Sequence, residues 1–146
     1  MSYFAEHDES AWPIVYGRFA GVGTVTGFEA FVSWHTGVMH KAMAQKQRLV
    51  VVTDARAVTG TPPDVRAVVG KWISDSPREF EEMTLESVVV LQSALMRGVL
   101  TAVGWLSTRK VRLTVFATLP EAWESGVAAL KRIGQEPPKL RPPWAM

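Results

Sequence analysis

The stretch that most constrains this chain is Leu49–Ile73, where a strand pattern runs almost directly into a helix pattern. Arg48 is followed by Leu49-Val50-Val51-Val52, an apolar and mostly β-branched run with no charge. Such a run reads as a strand covered on both faces, so it demands helices packed above and below a sheet. The pattern breaks at Thr53-Asp54-Ala55-Arg56, which predicts a short polar loop from Asp54 to Thr61. Thr61-Pro62-Pro63-Asp64 then reads as a helix start. Thr61 suits the N-cap, Pro62 the first helical position, and the Asp64 charge favours the helix dipole. Val65, Val68, Val69, Trp72 and Ile73 recur at the spacing of one helical face. In open α/β sheets ligands and partners meet the fold beyond the carboxyl ends of the strands. Asp54–Thr61 is therefore the first place to expect a site.

The flanking segments repeat the alternation. Met1–Ala11 is polar and expected to be loosely held, and Trp12–Ala20 alternates as a half-buried strand with Pro13 at its beginning. Gly21-Val22-Gly23 reads as a turn and Thr24-Val25 as a very short second strand; the glycine spacing does not fit a dinucleotide fingerprint and no P-loop lysine follows. Thr26-Gly27-Phe28-Glu29 has the form of a capping box and predicts a helix from Gly27 to about Gln45. Its apolar face comprises Phe28, Phe31, Val32, His35, Val38, Met39, Ala42 and Met43. His35 lies on that face and His40 does not; a spacing of five sets them about 140° apart, unsuited to one metal ion. Trp34 falls off the face, and if exposed beside Val38 it would mark a homodimer or partner patch.

Beyond the central unit, Ser76-Pro77-Arg78-Glu79 predicts a capped short helix carrying Phe80 and Met83, and Leu85–Leu91 a buried strand. Ala94–Ser107 reads as a helix apolar nearly all round, with Arg97 and Thr101 on one stripe with Trp105. Val111–Ala117 is the last expected strand, and Thr118-Leu119-Pro120-Glu121 caps a helix bearing Trp123, Gly126, Val127, Leu130 and Ile133 on one face. Lys131 and Arg132 suit its carboxyl end and Gly134 stops it. Pro137, Pro138, Pro142 and Pro143 exclude helix and central strand from Gln135–Met146. The chain thus divides into an α/β domain, residues 1–134, and a Pro-rich tail, residues 135–146. Strands separated by helix-length segments predict a single, mostly parallel sheet of four to five strands with helices packed on it.

Composition narrows the function classes. Sixteen Lys and Arg against 14 Asp and Glu leave +2, too little to imply nucleic acid. With no cysteine, disulfides, thiolate metal sites and a Cys nucleophile are excluded. Met1–Ser10 does not read as a signal peptide, and Ser93–Ser107 is shorter than the ~20 residues a membrane span needs and is broken by Arg97. A cytoplasmic protein without a membrane span is the expectation.

The order of elements, a two-strand start followed by three strand–helix units, resembles the STAS or SpoIIAA-like fold of anti-sigma factor antagonists, which is related to the lipid-binding CRAL-TRIO fold. The residues that carry the likeness are Leu49-Val50-Val51-Val52-Thr53-Asp54 with Val58-Thr59, and Val115-Phe116-Ala117-Thr118 with Glu121-Ala122-Trp123. The resemblance implies a non-catalytic, regulatory protein-interaction domain with no cofactor and no metal. Its expected partner-binding residues are Asp54, Arg56, Thr59, Thr61, Arg66 and Arg97. Those antagonists carry a phosphorylatable serine within Asp-Ser-Ser-Gly at the start of the central helix, where this chain has Thr61-Pro62-Pro63-Asp64; Thr61 is the candidate phosphoacceptor in its place. The CRAL-TRIO likeness implies an alternative, a small apolar or lipid-like ligand in a cavity lined by Arg97, Thr101 and Trp105. An enzyme fits less well. Receiver-type chemistry at Asp54 needs an acidic pair after the first strand and a lysine after the last, and neither Gly17–Gly27 nor Thr118-Leu119-Pro120 supplies them. No Gly-x-Ser-x-Gly elbow accompanies the three histidines.

Overall fold

A computed structural model describes residues 2–93 and 112–146, with Arg112 described for its backbone alone. The Ala94–Ser107 helix expected above, with Arg97, Thr101 and Trp105, lies outside the described residues. Five strands form one sheet in the order β1 (Phe4–Asp8), β2 (Ile14–Val22), β3 (Leu49–Gly60), β4 (Thr84–Val90) and β5 (Arg112–Phe116). β1 runs antiparallel to β2, and every other neighbouring pair is parallel. The helices are α1 (Val25–Gln45), α2 (Pro63–Asp75), α3 (Arg78–Met83) and α4 (Leu119–Arg132), followed by a 3-10 turn at Pro143–Ala145. This is the expected α/β sheet, with differences at its beginning and centre.

Alternation along the strands sorts the core into two layers. Val15, Leu49 and Val51 pack with Val38, Met39 and Ala42 of α1. Ile14, Tyr16, Val50, Val52, Val88 and Val90 point the other way, onto Leu119, Ala122, Trp123 and Leu130 of α4. The uncharged Leu49–Val52 run is buried on both sides, as its composition requires. A third cluster gathers Phe19, Phe28 and Phe31 with Tyr3, Phe4, Trp34 and Trp72 at the amino end of α1.

Four local readings are corrected. The N-terminal segment is a strand rather than a loose end: Phe4 pairs with Phe19 and packs against Phe31 and Trp34, while Glu6 reaches Arg18 at 3.2 Å on the outer side. An edge strand carries charge because one rim faces water, and that polarity hid it. Thr24-Val25 is not a strand, and Gly21-Val22 is not a turn but the irregular end of β2. Thr24 is the N-cap of α1, its hydroxyl accepting from the Gly27 N–H at 3.0 Å, so Thr26 falls inside the helix. β3 does not stop at Thr53 but runs to Gly60. Its pairing with β4 ends at Asp54 opposite Val90, whereas pairing with β2 continues to Gly60 opposite Val22. Finally, α2 and α3 begin after Pro62 and Pro77, with no side-chain cap from Thr61 or Ser76. The Thr118 cap is present: its hydroxyl accepts from the Glu121 N–H and donates to the Glu121 carboxylate.

Trp34 is half-buried rather than an open patch, because β1 folds over it and its indole N–H donates to Glu9. The Pro-rich tail crosses the α4 face. Trp144 stacks on Tyr16 and Ala145 is fully buried.

Candidate functional site

Period-two alternation places Asp54 and Arg56 on the same face of β3, and parallel pairing brings Tyr16 of β2 alongside. Asp54 is 1% exposed, a buried carboxylate at the end of the β3–β4 ladder. Arg56 closes a fork onto it, Nε to Oδ1 and Nη2 to Oδ2 each at 2.9 Å, and its backbone N–H reaches Oδ1 at 3.1 Å. The Tyr16 hydroxyl donates to Oδ2 at 3.0 Å. A carboxylate has about four acceptor sites, and these four bonds occupy them. Asp54 therefore has no lone pair left to take a proton or a metal ion in this arrangement.

The electrostatics follow. Burial alone would raise the Asp54 carboxyl, but the hydrogen bonds and charge of Arg56, helped by the Tyr16 hydroxyl, hold it below the ordinary aspartate value. Burial, then the neighbouring Asp54 charge, pushes the Tyr16 hydroxyl far above the usual phenol value. The product is one guanidinium fixed on a buried anion yet still a third exposed, with a side-chain exposure of 34%.

The structure gathers some of the expected residues and separates others. Asp54 and Arg56 are bonded partners, Asp54 beneath and Arg56 at the surface. Thr59 is exposed near the end of β3, Thr61 exposed just before α2, and Arg66 exposed on the first turns of α2. Burial raises the Tyr3 hydroxyl and a hydrogen bond with the Thr61 side chain opposes that shift, so Tyr3, just ahead of β1, lies against the entry to α2. Arg97 lies outside the described residues. Sequence reasoning missed Tyr16, whose only signal was its place in the Trp12–Ala20 alternation. It also missed Glu86, fully buried on β4 and accepting from the Ser125 hydroxyl of α4 at 2.7 Å.

Two other features could bear on function. An open groove of about 590 Å³ separates α1 from α2, lined by Phe28, Val32, Val68 and Trp72 with Glu29, Lys71 and Asp75 on its rim. His35 is buried among Phe31, Trp72 and Phe80, and burial lowers its pKa to about 4. Among the described residues no group of three His, Asp or Glu side chains could hold a metal ion, and no helix is long and apolar enough to cross a membrane.

No protein-family model and no curated protein sequence matches the chain. A solved structure does: an uncharacterized protein of the DUF3478 family from Shewanella loihica PV-4, described as having a SpoIIAA-like fold. The likeness covers 77% of this chain and 83% of that one, with a TM-score of 0.57 and 14% sequence identity. The fold is SpoIIAA-like. At that identity the likeness speaks for the fold alone. Within this sheet, the Asp54–Arg56 pair lies in the middle of the central strand, where the β3–β4 ladder ends, and β3 runs on to Gly60 before α2 begins at Pro63.

Proposed function

We propose that this SpoIIAA-like chain is a non-catalytic protein-interaction or regulatory domain whose contact surface comprises Arg56, Thr59, Thr61 and Arg66, with Asp54 beneath it. The observation that carries the reading is the two-pronged Asp54–Arg56 pair. A buried carboxylate spends its acceptors on holding one arginine at the surface, which lowers the ordering cost of using that arginine in a contact. α2 supports it: Val65 is its sole fully buried residue, so most of its surface, Arg66 included, faces outward. Thr61, exposed ahead of α2, is the candidate phosphoacceptor.

The test is affinity capture from a lysate of the source organism, comparing the unmodified chain with Arg56→Glu/Arg66→Glu and checking each fold by circular dichroism. A protein retained by the first and lost by a folded double variant supports the reading. Retention that ignores both charges, or no selective retention, sinks it.

The α1–α2 groove favours a second reading, a small apolar ligand seated over Phe28, Val32, Val68 and Trp72. Native mass spectrometry of the purified chain separates the two: a copurifying small molecule, displaced in Val68→Lys, supports the carrier, and its absence counts against it.

A further inference from the structure

The segment after α4 is organised as a hook. Gly134, with φ of 73°, turns the chain out of the helix. Gln135 then grips the start of β3, its side-chain oxygen accepting from the Arg48 N–H at 3.0 Å and its amide donating to the Arg48 carbonyl at 2.8 Å. At the far end Trp144 lies flat on Tyr16, centroids 4.6 Å apart and planes within 8°, with its edge toward Trp123 at 5.7 Å. Beyond Gln135, most of the hook's polar contacts are its own. Arg141 donates to the Ala145 carbonyl from Nε at 3.1 Å and Nη2 at 2.9 Å, and the Ala145 N–H reaches the Pro142 carbonyl at 3.0 Å. Four prolines restrict the backbone further, so the segment keeps much of its shape whether seated or not.

Its seat is less well made. The Trp144 indole N–H is buried with no hydrogen-bond acceptor among the described residues, a cost that release to water removes. Leu140 is 83% exposed, so it adds little apolar burial midway along the segment. Arg141 also ties the hook to α4 through Glu124 at 3.2 Å, an exposed pair of the kind that holds weakly. Under Trp144, the Tyr16 ring leads straight to the hydroxyl that bonds Asp54.

We propose that the segment beyond the Gln135 anchor, residues 136–146, is a latch that opens as a unit while the sheet and helices stay folded, baring the Tyr16 ring and loosening the Tyr16–Asp54 bond behind Arg56. Control of a partner through that movement rests on the interaction reading above; the opening itself does not.

Hydrogen exchange by NMR on the full chain tests it, using the Trp144 indole N–H, identified by its loss in Trp144→Phe, against the Val50 amide in the core. The latch predicts indole exchange about 100-fold faster than Val50 or more, and insensitive to low urea, the mark of sub-global opening. Arg141→Gln should quicken the indole about tenfold further and leave Val50 unchanged. Exchange of both groups along one urea-dependent, global isotherm overturns the latch, as does Arg141→Gln accelerating both alike or neither. The measurement uses no partner. A failed capture experiment therefore leaves it standing, and a hook that opens only by global unfolding refutes it even if a partner is found.

Discussion

Arg56 grips Asp54 two residues before it on the same strand, with both nitrogen-to-oxygen distances at 2.9 Å, and the buried member of the pair is the anion. The pairing works only because β3 stays extended through Arg56. In a loop the two side chains would not share a face.

Asp54→Ala should leave Arg56 and the Tyr16 hydroxyl without their shared acceptor. A loss of about 2–4 kcal/mol is expected, read as a lower urea midpoint with an unchanged slope. Tyr16→Phe in the same background should add less than it costs alone, because both changes remove the same bond. Full additivity would show that the hydroxyl and the carboxylate are not coupled.

Two pH windows should separate in stability measurements. His35 binds its proton at about pH 4 in the folded chain, against an ordinary value near 6.5, so between these values the unfolded chain carries the extra proton. Stability therefore falls as pH drops from 6.5 to 4, by up to about 3 kcal/mol, and levels off below. His35→Phe should abolish that slope. Asp54 acts lower. Its folded pKa is depressed, so its contribution is present above the ordinary aspartate value and is lost as pH falls through the depressed one. A stability curve flat from pH 7 to 4 would contradict the His35 assignment.

Two glycines of α1 should respond oppositely to alanine. A Cβ on Gly27 would meet the Tyr3 Cβ at 2.6 Å and the capping Thr24 hydroxyl at 2.8 Å, neither of them a flexible far end. Gly27→Ala should destabilise by about 1–3 kcal/mol. Gly37 faces open space, and Gly37→Ala should gain roughly 0.5–1 kcal/mol from helix propensity alone. Thermal melts of the two variants test the contact between Tyr3, just ahead of β1, and the start of α1.

Trp144→Ala should cost about 2 kcal/mol, or roughly 6–10 °C in Tm, because half-buried aromatic surface leaves the α4 face. Removal of Gln135–Met146 should cost at least as much. An unchanged melting point would mean that the stack on Tyr16 contributes nothing in solution.

Most of the scaffold was legible. The β-branched run Leu49–Val52, the Phe28–Ala42 face of α1, the Thr118 cap and the Lys131-Arg132-Gly134 ending of α4 are local signals, and the structure carries each of them. The candidate site was legible only as an address. The sequence pointed to Asp54 and Arg56, but as members of a loop, since β4 leaves β3 at Asp54 and nothing nearby in sequence announces that β3 stays paired with β2 as far as Gly60.

The division has a physical cause. Hydrophobic period, caps and chain breakers depend on neighbours a few residues away, so the sequence by itself determined the alternation of strands and helices and the sheet they build. Which strand an edge strand joins, how far a central strand is paired, and whether an aspartate is wet or buried depend on segments far along the chain. Tertiary structure alone made Phe4–Asp8 a strand and chose Thr24 over Thr26 as the cap of α1. It also set Tyr16 between Asp54 and Trp144, turning a polar stretch of β3 into one arginine braced on a buried anion.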